Sequence, residues 1–519
     1  MSKFNLPNTA TTTNRSGYIA YSMSEKEHLV TAVLTTMFGE PKYYGSTDED
    51  IVRLATNCAK SDPAFLAKLA AYTRNVGNMR SASHVLTAVI AREAHEFTRD
   101  VIKNVVVRPD DITEIMSCYK GLYGKPFPNA MKREMANALQ QFDEYQIAKY
   151  SGGNKSLKFR DVLRITHPVP KTKEIELLFK KVLDDELGTP YTWEVELSTR
   201  GNTKEVWDEL ISSGKVGYMA LLRNLRNIIQ SGADVEPVLE KLSDPDQVRK
   251  SRQLPFRFYS AYRTLADEKL ITPQIHKALE DALVASIDNM DPIPGRTLIA
   301  VDDSGSMGAR ISLKSDVRCC DIASLFGAMS SRLCEDATVC YFDAAFVWWQ
   351  KPSKSSKGYR IAHYGKYESI LDICANNASS GGGTDLSLPM KYALEEDASV
   401  CLKPFDRVIY FSDNECNSSY RGLYKTVQGL ADTYRSKYNK NFWVHGVDLQ
   451  GYGSQQFCGN RFNLIAGWGE SVLPFINLAE KGISTLVEAI ESYDTMLWSK
   501  EAAPLQTRHN LLALMQQDL

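Results

Sequence analysis

The chain has 519 residues, with 61 Lys and Arg against 63 Asp and Glu, for a net charge of −2. That balance excludes a chain-wide basic coat for nucleic acid and an acidic solvating tail, so any RNA contact has to be local. With 43% apolar and 24% charged residues, the composition is that of folded globular protein, and the length accommodates two or three domains with separate cores.

At the N-terminus, Met1-Ser2-Lys3-Phe4-Asn5-Leu6-Pro7 lacks an apolar signal core, and the chain contains no run of eighteen apolar residues to span a membrane. The ten cysteines form no C-x-x-C pair, and no histidine cluster has zinc-ligand spacing. Most of these cysteines sit inside apolar runs, where a free thiol acts as a small hydrophobe. A reducing, cytoplasmic setting is the expectation.

From about residue 25 to 290 the apolar residues recur at helical spacing. Ile51, Leu54, Ala55 and Cys58 fall at i, i+3, i+4 and i+7; Leu66, Leu69 and Ala70 repeat the pattern, as do Met219, Leu222, Leu225 and Ile229 nearby. Asp62-Pro63 and Pro273 mark helix starts. Roughly a dozen helices with short connectors such as Gly121 to Pro128 are expected here. Such a series packs as antiparallel pairs in a solenoid of HEAT type, although no clean repeat of fixed period is present and an irregular helical domain is the alternative.

Two windows in this half depart from neutrality. Residues 149–173 carry Lys149, Lys155, Lys158, Arg160, Arg164, Lys171 and Lys173 with His167, against the single acid Asp161. Residues 247–263 carry Arg249, Lys250, Arg252, Arg257 and Arg263 with no acid, interleaved with Phe256, Phe258, Tyr259 and Tyr262. Basic groups around a loop suit phosphate contacts, and aromatic or guanidinium planes suit stacking of unpaired bases. The competing account is a solvated helix face for the first window and a core aromatic cluster for the second.

After Pro292-Ile293-Pro294-Gly295 the period changes. Thr297–Val301, Thr338–Phe342, Val408–Phe411, Phe442–Val447 and Phe462–Ala466 are short apolar runs rich in β-branched and aromatic residues. Helical patterns at 316–333, 387–396 and 421–438 lie between them. Continuous apolar strands alternating with helices predict a mostly parallel, doubly wound α/β sheet, whose ligands bind beyond the carboxyl ends of the strands.

The first of these strands ends in Asp302-Asp303-Ser304-Gly305-Ser306, a D-x-S-x-S motif that places Asp302, Ser304 and Ser306 along one face of a loop. Short oxygen side chains are what a hard divalent cation requires. Gly381-Gly382-Gly383-Thr384-Asp385 presents a hydroxyl and a carboxylate after a glycine run, and Ser412-Asp413-Asn414-Glu415 follows a later strand. Asp-Ser-Gly-Ser alone is also a common turn. All three pieces in order match the metal-ion-dependent adhesion site of von Willebrand factor A domains, with Asp302, Ser304, Ser306, Thr384 and Asp413 as ligands to Mg2+, or alternatively Mn2+. No nucleophile, H-E-x-x-H or phosphate loop accompanies them, so the site reads as binding rather than catalysis, and the chain as not an enzyme. A metal-dependent nuclease is the third reading, but such sites carry more carboxylates.

The chain resembles the Ro ribonucleoproteins, the group defined by the TROVE module, in their bacterial or phage-type form. The resemblance rests on Gly17-Tyr18 followed by Ser24-Glu25-Lys26-Glu27, on Met79-Arg80-Ser81-Ala82-Ser83-His84, on the stretch from Phe142 to Tyr150, on that from Phe159 to Pro168, and on Met219 to Leu225. Gly383-Thr384-Asp385 and Leu388-Pro389-Met390 then follow in family order. It implies a ring of HEAT-like helical repeats over 1–294 closed by an A domain over 295–491; the segment 492–519 reads, from its own residues, as a helical tail around Leu511, Leu512 and Leu514. The resemblance further implies a monomeric RNA-binding scaffold that takes Y-like small RNA on its outer basic face and single-stranded ends of misfolded or structured RNA in the central hole. RNA quality control, with an exonuclease such as polynucleotide phosphorylase tethered through the RNA, is the implied role. The Y RNA contacts would be Lys149, Lys155, Lys158, Arg160, Arg164 and His167. The loop Ser151 to Ser156 departs from the family, so Arg160, Arg164 and His167 carry that match. The alternative is a metal-dependent protein-binding module acting through the A domain, with the helical part as passive scaffold.

Overall fold

The computed structural model describes residues 11–35, 48–152, 156–288, 290–311, 316–344, 358–365, 367–377, 381–416, 427–467, 472–481 and 485–493. The tail around Leu511 and the basic Lys155 lie outside the described residues, as does the 421–426 start of one expected helix. Two compact units are present. The first comprises Met1–Cys58, Val76–Ala82 and Gly188–Val487; the second comprises Ala59–Asn75, Ser83–Leu187 and Glu488–Leu519, each as far as described. The architecture is the expected one, an all-α part joined to a doubly wound α/β sheet.

In the second unit, helices Pro63–Asn75, Thr98–Val105, Asn129–Leu139 and Phe159–Thr166 pack each on the next in chain order. Stacking of alternate helices is how a helical array buries a continuous apolar seam. The start at Asp62-Pro63 is capped by Asp62, whose Oδ1 accepts the Phe65 amide at 3.0 Å. Among the described residues, seventeen α-helices lie between Glu25 and Ile287 rather than about a dozen, because several have only six to nine residues and leave little periodic signal.

In the first unit, the sheet has strand order β5-β4-β3-β6-β7-β9, where β3 is Ile293–Asp302, β4 Cys334–Phe342, β5 Tyr359–Ala362, β6 Arg407–Ser412, β7 Trp443–Asp448 and β9 Phe462–Ala466. All pairs are parallel except the edge strand β5, which runs antiparallel to β4. Helix Cys319–Leu333 approaches β3 so closely that a Cβ on Gly327 would lie 2.6 Å from Val301 Cγ2. On the opposite face Leu298, Ala300, Phe342, Phe405, Tyr410 and Tyr434 form a buried cluster. The strand order reverses between β3 and β6, and in such sheets that point opens a crevice at the carboxyl edge.

β3 begins at Ile293, so the Pro-rich segment at the change of period is partly in the sheet, with Ile293 paired to Cys334. Helices Pro255–Asp267 and Pro273–Ile287 belong with this sheet. Arg263 reaches Asp321 at 2.6 Å, and Glu280 accepts the amides of Ile370 and Leu371 at 2.9 and 3.0 Å, capping helix Ile370–Asn377. These buried and half-buried bonds override the change of hydrophobic period as a guide to where one compact body ends. A second sheet of β1 (Thr11–Thr13), β2 (Ile19–Ser22) and β8 (Ser454–Gln455) is antiparallel.

Candidate functional site

The three motif loops meet at the switch point of the sheet. Asp302 closes β3 and Ser412 closes the adjacent β6, with Asp413 and Glu415 just beyond it. Ser412 Oγ donates to Asp302 Oδ2 at 2.5 Å, and the Ser304 amide donates to Asp302 Oδ1 at 3.0 Å. Ser304 Oγ lies 3.4 Å from Ser306 Oγ, and the Ser306 hydroxyl bonds the Asp413 carboxylate. The glycine loop is stitched to the first motif through its backbone: Gly305 N–H donates to Gly382 O and Gly381 N–H to Asp303 O, both at 3.1 Å. Gly382 adopts φ +68°, a left-handed conformation open to glycine. Asp302, Ser304, Ser306, Thr384 and Asp413 are all buried.

Two carboxyl groups are buried together in this site. Burial, and then the neighbouring Asp413, push the Asp302 carboxyl up to about 8. Burial raises Asp413 too, against the bond from Ser306. Asp413 Oδ2 is buried with no hydrogen-bond partner among the described residues. Two buried carboxylates that repel each other, three hydroxyl side chains and an unpartnered carboxylate oxygen fit a hard divalent cation. Among the described residues no group of three or more His, Cys, Asp or Glu side chains is arranged to hold a metal, so hydroxyls would have to complete any ligand set here.

The basic window falls in the second unit. Helix Phe159–Thr166 buries Phe159, Val162 and Leu163, which turns Arg160 and Arg164, one turn apart, to the other face. Asp161 accepts the Lys158 amide at 2.9 Å and fixes the helix start. His167 ends the helix in left-handed backbone, φ 45°, with its ring exposed. Lys149 and Lys158 are exposed as well.

A groove of about 450 Å3 opens beside this helix. It is lined by Asn129, Lys132, Arg133, Asn137 and Gln140 from one helix and its end, and by His167, Val169 and Lys171 from the other side, with no carboxylate among the lining residues. The Lys171 amide donates to Gln140 Oε1 at 3.0 Å across it. The structure therefore brings His167 and Lys171 together with Lys132 and Arg133, while Lys149, Lys158, Arg160 and Arg164 lie outside the groove lining. Lys132 and Arg133 do not stand out in the sequence. They sit about thirty residues from His167 on an amphipathic helix, where charge reads as an ordinary solvated face.

The aromatics of the second basic window are largely core. Phe256, Phe258 and Tyr259 are buried, and Arg263 is committed to Asp321.

The chain thus combines a long helical part that carries a basic groove with a doubly wound domain that carries an oxygen-lined switch point. The family model for the TROVE domain matches residues 20–187 and 185–290, just over half of the chain, and that for the Ro60 vWA domain matches residues 296–443. The chain belongs to the TROVE-domain family and carries a von Willebrand factor A domain of the Ro60 type. It is 26% identical over 307 residues to telomerase protein component 1 of Rattus norvegicus, covering 42% of this chain and 12% of that protein. It is 29% identical over 231 residues to the RNA-binding protein RO60 of Caenorhabditis elegans, covering 42% of this chain and 33% of that protein. The crystal structure of the Deinococcus radiodurans RO (RSR) protein superposes with a TM-score of 0.60 at 17% identity, over 89% of this chain and 100% of that one, and shows the shared fold.

Proposed function

We propose that this protein is a non-catalytic RNA-binding scaffold that holds a Y-like small RNA on the basic face of its helical part. Single-stranded ends of misfolded or structured RNA are its second ligand, and RNA quality control or decay is its role. The observation that carries this reading is the groove lined by Lys132, Arg133, His167 and Lys171 with three side-chain amides and no acid. Lys132, His167 and Lys171 offer phosphate oxygens charged or polar donors there, while Arg133 and Asn137 already bond Glu134, at 2.9 and 3.2 Å. Arg160 and Arg164, on the neighbouring helix face, extend the positive surface. Membership of a family that includes a protein named RNA-binding protein RO60 supports it.

Changing Arg160, Arg164 and His167 together to Ala is expected to weaken binding of a Y-like stem–loop by about 3 kcal/mol, on the order of 100-fold, at about 1 kcal/mol or more per charged hydrogen bond. Filter binding measures it, and unchanged affinity would remove these residues from the interface.

A second reading concerns the A domain. The unpartnered Asp413 Oδ2 and the buried Asp302 favour a metal centre with Asp302, Ser304, Ser306, Thr384 and Asp413 as ligands, Mg2+ or Mn2+ as the ion, and a partner's acidic group as the remaining ligand. A chelator or Asp302→Ala would then abolish capture of that partner and leave RNA affinity intact. An exonuclease tethered through the bound RNA belongs to the same proposal.

A further inference from the structure

The N-terminal hairpin makes contacts that neither reading uses. β1 and β2 are joined by a tight turn over Asn14–Tyr18, closed by the Tyr18 amide donating 2.8 Å to Asn14 Oδ1 and by Gly17 at φ +84°. The hairpin is tied to the rest of the first unit by the pairing of β2 with β8. Arg15 adds two anchors, an ion pair with Asp50 at 3.2 Å and a position 4.9 Å over the Tyr452 ring.

The tip of this turn grips the dipeptide Glu415-Cys416, just beyond the ligand Asp413. Asn14, only 5% exposed, donates from Nδ2 to Cys416 O at 2.7 Å, and the Ser16 amide donates to Glu415 Oε2 at 2.9 Å. Glu415 is fully buried, and its own amide donates 3.0 Å to Asp413 Oδ1. A continuous line of hydrogen bonds thus runs from the hairpin turn through Glu415 to one oxygen of Asp413. The other oxygen, Oδ2, is buried without a partner among the described residues, and Glu415 Oε1 and Asn414 Nδ2 share that condition. Such a cluster is stable only if the surrounding structure holds it in place, because each unmet buried polar group is costly.

We propose that the N-terminal hairpin is a latch on the metal centre: Asn14 and Ser16 act as positioning residues that fix Glu415, and through it orient Asp413 toward the ion. The proposal rests on the metal reading of the A domain. Hydrogen-bond partners one step removed from a metal commonly set its affinity by about 10- to 100-fold. Coupling is reciprocal, so the ion tightens the docking of the hairpin by the same factor that the hairpin tightens the ion.

Two measurements on the full chain test it. Titration with Mn2+, followed by calorimetry, compares wild type with Asn14→Ala, which loses the bonds to Cys416 and Tyr18 but touches no proposed ligand. The expected result is about 10- to 100-fold weaker Mn2+ binding in the variant. Hydrogen exchange of the Ser16 and Tyr18 amides in wild type, with and without saturating Mn2+, is expected to slow on metal addition. A purely structural hairpin would not respond in this way. A folded Asn14→Ala chain that binds Mn2+ as tightly as wild type overturns the latch. If that variant does not fold, unchanged exchange of Ser16 and Tyr18 on saturation overturns it. Wild type that takes up no Mn2+ ends the metal reading and the latch together, so the two failures are distinguishable.

Discussion

Single side chains decide the chemistry of the A domain. Asp302 and Asp413 are buried near one another, and burial together with their mutual repulsion favours the protonated carboxyl. On the proposed metal reading, a divalent ion would relieve that repulsion and is expected to stabilise the folded chain. At about 100 times its dissociation constant a ligand adds about 2.7 kcal/mol, roughly 3–4 °C in unfolding midpoint for a unit as large as the first. Thermal unfolding with and without 10 mM Mg2+ (roughly 100-fold over an affinity near 0.1 mM) should show this rise in wild type and its loss in Asp413→Asn. At the amino-terminal end of the same sheet, His445 Nε2 lies 2.9 Å from Glu480 Oε1, and Arg407 also pairs with Glu480. Burial lowers the His445 pKa, against the opposing pull of Glu480. Burial would raise Glu480, but the bonds from His445 and Arg407 hold it at about 2. Below about pH 6.5 the unfolded chain takes up a proton on His445 more readily than the folded chain does, and below about 4.3 the same holds for Glu480. Stability therefore falls as pH drops through both windows. Denaturant unfolding from pH 7 to 5 should show a shallower loss in His445→Gln than in wild type.

Helices and strands differ in how much of themselves they reveal in sequence. The five expected strands are all present, each within a few residues, because a buried parallel strand is a short unbroken apolar run. The motif loops are legible for the same reason: those of Asp302 and Asp413 stand directly after such runs. β5 and the small sheet of β1, β2 and β8 are not legible, since strands of two to four residues carry no period. The stripe on helix Tyr218–Ser231 differs slightly from its expected position. Leu222 and Leu225 are buried as expected, but Tyr218, Leu221 and Ile228 complete the face while Met219 and Ile229 are only half-buried. Two adjacent apolar residues at each end make either face plausible, and packing chooses one. The groove on helix Asn129–Leu139 cannot be read from sequence at all, because its meaning depends on His167 and Lys171 arriving from beyond another helix. Changing Lys132 and Arg133 to Ala should lower the slope of log affinity against log salt by about 2 in magnitude, one for each phosphate no longer neutralised. An unchanged slope in filter binding across a salt series would show that the groove meets no phosphate.

Across the whole molecule, a net charge of −2 conceals a division of labour. Seven basic side chains against one acid are concentrated between residues 149 and 173, while the proposed metal ligands are acids and hydroxyls after residue 300. The compact units separate these two chemistries, with the basic groove in one and the oxygen-lined site in the other. RNA affinity and metal affinity are accordingly expected to respond to different substitutions. The central claim, that the helical part holds a structured small RNA, is tested most directly by ultraviolet crosslinking in the native cell, with the RNA sequenced and the crosslinked peptides mapped. The account predicts a Y-like stem–loop joined to peptides within residues 129–171. Recovery of no RNA, or crosslinks confined to residues 295–491, would contradict it.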